Sequence, residues 1–180
     1  MVGRLTNEQE RRVFFAALPE PGTLRQLEAG LKSLPAGLGR RVPVENLHMT
    51  LAFVGAVSDE RLACLCAKAG KLVAPDIAMT LERLGCFARA AVLWLGPQAV
   101  PDVLSDLAAT LAGVLADCGA VAESRPFSPH VTLARRVRAV PQGLALPPVA
   151  WRSRGFALME SVSGVNGVRY RVVQRYTLGG

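Results

Sequence analysis

The chain has 180 residues, 51% of them hydrophobic, which suits a single domain with a core of its own. Its net charge of +7 comes almost wholly from arginine, 18 of the 21 basic residues, a side chain suited to bidentate phosphate contact and to stacking on bases, although an Ala- and Arg-biased composition yields the same excess. Met1 to Glu10 are largely polar and the run Val13 to Leu18 is too short for a signal-peptide core or a membrane span, so a soluble, cytoplasmic protein with no membrane partner is expected.

In chain order, Arg11-Arg12 leads into Val13 to Leu18, an apolar run closed by Pro19 and Pro21 that reads as a buried strand. Leu24, Leu27, Leu31 and Leu34 repeat at helical spacing up to Pro35 and Gly37. Arg40 to Asn46 is expected as an extended connector, since Pro43 pushes its predecessor out of the helical region. It delivers the chain into Asn46-Leu47-His48-Met49-Thr50-Leu51-Ala52-Phe53. Ser58 suits the cap of a second helix, with Asp59 and Glu60 in its first turn and Leu62, Leu65, Ala69 and Leu72 on its apolar face, ending near Pro75.

Ile77, Met79 and Leu81 alternate, Val92 to Leu95 form another apolar run, and Gly85 to Arg89 are able to turn between them, so a β-hairpin is expected. A third helix carries Leu104, Leu107, Leu111, Val114 and Leu115 and runs to about Cys118-Gly119. Val140 to Val149 reads as a loop, followed by strands Ala150 to Glu160 and Val168 to Leu178 joined through Ser163-Gly164-Val165-Asn166-Gly167. Alternation puts Arg169, Arg171 and Arg175 on one face, and Arg152 and Arg154 on one face of the neighbouring strand, as either a solvated face or an RNA-contacting surface. Cys64, Cys66, Cys86 and Cys118 have neither zinc-site spacing nor the context of a disulfide scaffold, and buried thiols are expected.

The first motif recurs 82 residues later as Ser128-Pro129-His130-Val131-Thr132-Leu133-Ala134-Arg135, and the two segments hold every histidine in the chain. Strand, proline, helix, connector and His-x-Thr thus occur twice, so the chain reads as two duplicated halves, approximately 11–90 and 91–180. On a strand, residues i and i+2 share a face, which pairs His48 with Thr50 and His130 with Thr132. If the halves face one another, two imidazoles and two hydroxyls converge. That set suits a tetrahedral phosphate, one imidazole accepting a proton near neutral pH while the other, charged, donates one. Two histidines without carboxylate or cysteine partners make a poor metal site, and neither metal nor cofactor is expected.

At these residues the sequence resembles the 2H phosphoesterase family, named for paired His-x-Thr/Ser motifs, in its RNA 2′,3′-cyclic phosphodiesterase (2′-5′ RNA ligase) branch. The similarity extends to Val13-Phe14-Phe15-Ala16-Ala17-Leu18-Pro19, Val42 to Leu51, Val92-Leu93-Trp94-Leu95-Gly96 and Arg125 to Arg135. The resemblance implies an α+β, bilobal fold, with two pseudo-symmetric halves whose antiparallel sheets flank a central cleft and whose helices pack outside. It also implies roles: His130 as proton acceptor from water, His48 as proton donor to the departing 3′ oxygen, Thr50 and Thr132 on the non-bridging phosphate oxygens, Arg135 on phosphate, and Phe53 as a base-stacking ring. Strict alternation turns Phe53 and Arg135 away from the histidines unless the strand ends or bulges there. One departure is Arg41, where the family pattern leads one to expect an aromatic. The partner is then a 2′,3′-cyclic-ended RNA or a 2′-5′ linked oligonucleotide bound by a monomer. Open alternatives are a 2′-5′ RNA ligase, a 2′-5′ oligonucleotide phosphodiesterase, and a non-catalytic RNA-binding module.

Overall fold

Val13 to Ala17 are buried on both faces, Val13, Phe15 and Ala17 against the main core and Phe14 and Ala16 against a smaller cluster with Ala157 and Met159. Burial on both sides makes this run, within β1 (Arg11–Ala17), a strand inside the sheet rather than at its edge. The structure is a computed structural model that describes residues 10–165 and 167–179; the polar stretch 1–9 and Asn166 of the expected turn lie outside the described residues. After β1 come α1 (Pro21–Ser33), β2 (Arg40–Arg41), β3 (Met49–Val57), α2 (Asp59–Ala69), β4 (Ile77–Leu81), β5 (Arg83–Phe87), β6 (Val92–Gly96), α3 (Asp102–Asp117), β7 (Val131–Arg135), β8 (Val149–Ser153), β9 (Gly155–Gly164) and β10 (Gly167–Thr177).

The helices follow the leucine spacing. Pro21 opens α1, where its fixed φ suits the first turn, and Thr23 fastens that end to β8 by donating to Ala150 O (2.8 Å) and accepting from Arg152 N (3.2 Å). Ser58 caps α2 by accepting from Arg61 N. α3 buries Leu104, Leu107, Leu111, Val114 and Leu115.

Among the described residues, eight strands form one antiparallel sheet in the order β10-β9-β1-β3-β7-β6-β5, with β2 also paired to β7. This is an α+β fold. The sheet's centre is a single registered pair, Met49↔Val131, that joins β3 to β7.

Several expectations change. Ile77–Leu81 does not form a hairpin with the Val92 run: β4 pairs with β8 in a separate two-stranded sheet, and the partner of β6 is β5. Gly85, expected in a turn, sits mid-strand because the Trp94 indole lies against it where any Cβ would overlap the ring. The turn falls at Ala88–Ala91 instead, with Ala91 at φ 53°. The stretch Ala150 to Glu160 is two strands in different sheets, parted at Arg154. Within the expected extended connector, Val44–Asn46 is a 3-10 turn.

Cys64 and Cys118, expected as free thiols, form a disulfide that ties α2 to the end of α3, while Cys66 and Cys86 are free. The 54-residue separation hides this pair from any spacing rule; helix packing brings it together, reinforced by Arg61 Nε donating to Cys118 O and the Lys68–Asp117 ion pair. A bulge at Val173 divides the expected arginine face: Arg169 and Arg171 register with Val162 and Glu160, whereas Arg175 registers with Ala157 on the opposite face. Arg171 joins Arg11 in gripping Glu160, whose carboxyl falls from 4.5 to about 2, first through the hydrogen bond from Arg11, then through Arg171, against an opposing push from burial.

Candidate active site

Met49 and Val131 are fully buried. Adjacent strand residues point to opposite faces, so this burial turns His48, Thr50, His130 and Thr132 to the other side of the seam. In an antiparallel pair the residues flanking a bridge lie across from each other, which sets His48 across from Thr132 and Thr50 across from His130.

The two imidazoles are held alike. Nδ1 of His48 lies 2.7 Å from Asn46 O, and Nδ1 of His130 lies 2.7 Å from Ser128 O. A carbonyl only accepts, so each Nδ1 carries a proton and donates it, leaving each neutral ring with an Nε2 lone pair. The Thr50 hydroxyl, 3.1 Å away, donates to Nε2 of His48. Rings brace both groups: Phe14 (5.0 Å) and an edge-on Tyr170 (4.9 Å) hold His48, and an edge-on Phe87 (5.0 Å) with Trp94 (6.1 Å) holds His130.

Burial is the main force on both pKa values. It drives His48 from 6.5 down to about 4, opposed by the Asn46 carbonyl and reinforced by the Arg135 and His130 charges. His130 is also lowered, by burial first, against the Ser128 carbonyl, with Arg135 adding to the fall. One charged and one neutral imidazole were expected near pH 7. Near neutral pH both are neutral, because burial lowers each ring and the Arg135 charge adds to the fall.

Two matched bulges answer the question that alternation raised. In β3 the register skips Leu51 (Phe15↔Ala52, Ala16↔Thr50), and in β7 it skips Leu133 (Leu93↔Ala134, Trp94↔Thr132). Each skip falls three residues after a histidine and reverses the alternation, so Phe53 shares the face of Thr50 and Arg135 the face of Thr132. Two cavities open there. One of about 420 Å³ is lined by His48, Phe53, Arg135, Arg12 and Tyr170. The other, of about 830 Å³, is lined by His130, Thr50, Phe53, Phe87 and the alanines 108, 109 and 112 of α3. Phe53, 52% exposed, is a wall of both, and Glu123 and Arg125, joined as an ion pair, line both as well. Thr132 lines neither; it lies opposite Trp94.

A model of the 2′-5′ RNA ligase superfamily matches residues 9–164. The chain belongs to this superfamily, the 2H phosphoesterases. An RNA 2′,3′-cyclic phosphodiesterase of Escherichia coli (strain K12) is 32% identical over 176 residues, spanning 94% of this chain and 98% of the relative. A Thermus thermophilus protein of the same description is 32% identical over 94% of this chain and 91% of its own length. Among solved structures, E. coli LigT in apo form matches with a TM-score of 0.84 at 32% identity, covering 95% of this chain and 99% of that one. LigT complexed with 3′-AMP matches with a TM-score of 0.83 at 33% identity, covering 96% and 100%.

In this 2H phosphoesterase, Arg41 turns from the cleft and donates to Leu34 O at the end of α1. Its neighbour Arg40 registers with Arg135. Reasoning from sequence missed Tyr170, Phe14, Phe87 and Arg12, since Tyr170, Phe14 and Arg12 read as ordinary residues in or beside a strand, and Phe87 as part of a turn, until the sheet brings each beside a motif. It also missed Asn46, whose buried side chain gives no periodic signal. Among the described residues, no group of three or more His, Cys, Asp or Glu is placed to hold a metal ion.

Proposed function

We propose that this protein hydrolyses RNA 2′,3′-cyclic phosphate ends to 2′-phosphomonoesters by paired histidine acid–base catalysis, without a metal. Water attacks phosphorus and gives its proton to Nε2 of His130. The P–O3′ bond breaks, and the 3′ oxygen takes a proton from Nε2 of His48, leaving a 2′-phosphate and a 3′-hydroxyl. Thr50, Thr132 and Arg135 hold the non-bridging oxygens, and Phe53 stacks on the base.

The observation that carries this reading is the matched pair of imidazoles, both Nδ1-protonated and on one face of one seam, with the charge of Arg135 felt by both. The identity to relatives described as RNA 2′,3′-cyclic phosphodiesterases supports the same reaction. The lowered pKa of His48 requires one further step: His48 must gain a proton before it serves as donor, and the negative phosphodiester supplies the charge that favours it. The bound phosphate also takes over the Thr50 hydroxyl from Nε2 of His48.

A second reading is favoured by the larger cavity. With about 830 Å³ beside His130 and two exposed phenylalanine rings on its walls, a nucleoside 5′-hydroxyl has room where water would attack. The same groups then make or cleave a 2′-5′ linkage through the same phosphorane. The duplication of halves 11–90 and 91–180 belongs to this proposal, supported by the matched skips at Leu51 and Leu133. Monomeric state and cytoplasmic placement belong to it too; among the described residues no helix is long and apolar enough to cross a membrane.

The assay is turnover of a cyclic-phosphate-ended oligonucleotide in EDTA. Wild type remains active, and His48→Ala or His130→Ala each lowers kcat about 10²- to 10⁴-fold. Wild-type turnover in both variants would sink the mechanism. Salt-sensitive RNA binding without turnover would favour the non-catalytic module instead.

A further inference from the structure

We infer that Asn46 is a positioning residue for His48: its side chain clasps the free edge of β10 so that its main-chain carbonyl holds the imidazole. The role rests on the reading of His48 as an acid–base group. Asn46 is a buried amide, 7% exposed, that ends the short turn Val44–Asn46 and opens the first motif. Its Nδ2 donates to Val168 O at 2.9 Å, and its Oδ1 accepts from Tyr170 N at 3.3 Å. β10 is the outer strand of the sheet, so among the described residues these main-chain groups have no strand beyond them. A side-chain amide satisfies both at once, much as a neighbouring strand would. Asp lacks the donor and Leu lacks both groups.

The same residue presents its carbonyl to Nδ1 of His48 at 2.7 Å, and the strand it clasps brings the Tyr170 ring edge-on to that imidazole at 4.9 Å. Asn46 therefore governs two of the contacts that orient the ring. The second motif uses a different device. There the carbonyl belongs to Ser128, and Pro129 restricts the conformation of Ser128 directly. The first motif has Leu47 at that place, so its backbone has no such restraint and relies on the amide.

The orientation matters to the reaction because a proton donor must point one chosen nitrogen at the leaving oxygen. An imidazole that loses its Nδ1 acceptor exchanges tautomers and turns about χ2, and the Nε2 position is then occupied only part of the time. Substrate contacts through Arg135, Thr132 and Phe53 are untouched, so the loss falls on kcat rather than on KM.

The test uses the full chain labelled with ¹⁵N, reading the tautomer of each imidazole from long-range ¹H–¹⁵N correlations, assigned with His130→Ala, beside kcat and KM on a cyclic-ended oligonucleotide. Asn46→Asp keeps the size and the acceptor for Tyr170 N but removes the donor to Val168; Asn46→Ala removes both. Expected are an Nδ1–H tautomer at His48 in wild type, mixed tautomers in each variant with His130 unchanged, and kcat lower by about 10- to 100-fold with KM within about threefold. An unchanged His48 spectrum in folded Asn46→Asp overturns the inference whatever turnover does, and so does an unchanged kcat. If Asn46→Ala does not fold, the Asp variant decides alone. Wild-type turnover in His48→Ala would instead remove the functional reading, leaving the tautomer result standing.

Discussion

Binding of the phosphodiester should shift the pH dependence of the reaction, and the size of the shift follows from the site. With its pKa near 4, His48 of the free enzyme carries a proton in about one molecule in a thousand at pH 7. One negative charge about 4 Å from the ring, at an effective dielectric of about 20, is worth about 4 kcal/mol, close to a thousandfold in proton affinity. That is enough to bring His48 back to near neutrality once substrate is bound. Because kcat/KM reports the free enzyme and kcat the complex, the two profiles must separate. The expected result is a kcat/KM whose falling limb lies at lower pH than that of kcat, which stays level to near pH 7 before declining. Steady-state rates from pH 4.5 to 9 at constant ionic strength measure both. The two imidazoles are coupled, so each limb belongs to the pair. Superimposable profiles, or rates flat between about pH 5 and 8, would refute the electrostatic reasoning.

Phe53→Ala removes an exposed ring from the wall shared by both cavities; loss of base stacking worth about 1–3 kcal/mol should raise KM by about tenfold or more with kcat little changed, as steady-state kinetics will register. Glu160 has a native pKa near 2 against 4.5, so its pairing stabilises the fold above pH 4.5 and that contribution is lost as the pH falls through about 2. After allowance for solvent around the 65% exposed Arg171 side chain, Glu160→Gln should cost about 1–2 kcal/mol at pH 7 and little at pH 2, read from urea midpoints; an equal cost at both would contradict the ion-pair origin. Gly85→Ala drives a Cβ into the Trp94 ring and should destabilise by about 1–3 kcal/mol while disturbing the support of His130; an unchanged unfolding midpoint would show that Trp94 does not need that space.

The His-x-Thr pairs were legible because their chemistry is written in residue type and spacing, and the helices because Leu24, Leu27 and Leu31, or Leu104, Leu107 and Leu111, repeat at the helical period. The inward turn of Phe53 and Arg135 was not. It depends on skipped residues at Leu51 and Leu133, and a bulge is a property of two strands in register, invisible in either alone. The same reason separates Arg175 from Arg169 and Arg171. Partner choice between distant segments was equally hidden: β4 alternates as a hairpin strand should, yet its mate is β8. Cys64 meets Cys118 only because α2 packs on α3. Asn46 carries no pattern at all, and its role emerges once the edge of β10 arrives beside it.

The central claim is that both histidines act on one phosphorus. A crystal structure with the product nucleoside 2′-phosphate tests it most directly. The account predicts a single nucleotide with Nε2 of His48 within about 3.2 Å of its 3′ oxygen, Nε2 of His130 within about 3.2 Å of an oxygen of its phosphate, and Arg135 turned toward that phosphate. A phosphate held by one histidine alone, with the other ring beyond hydrogen-bond reach, would contradict it.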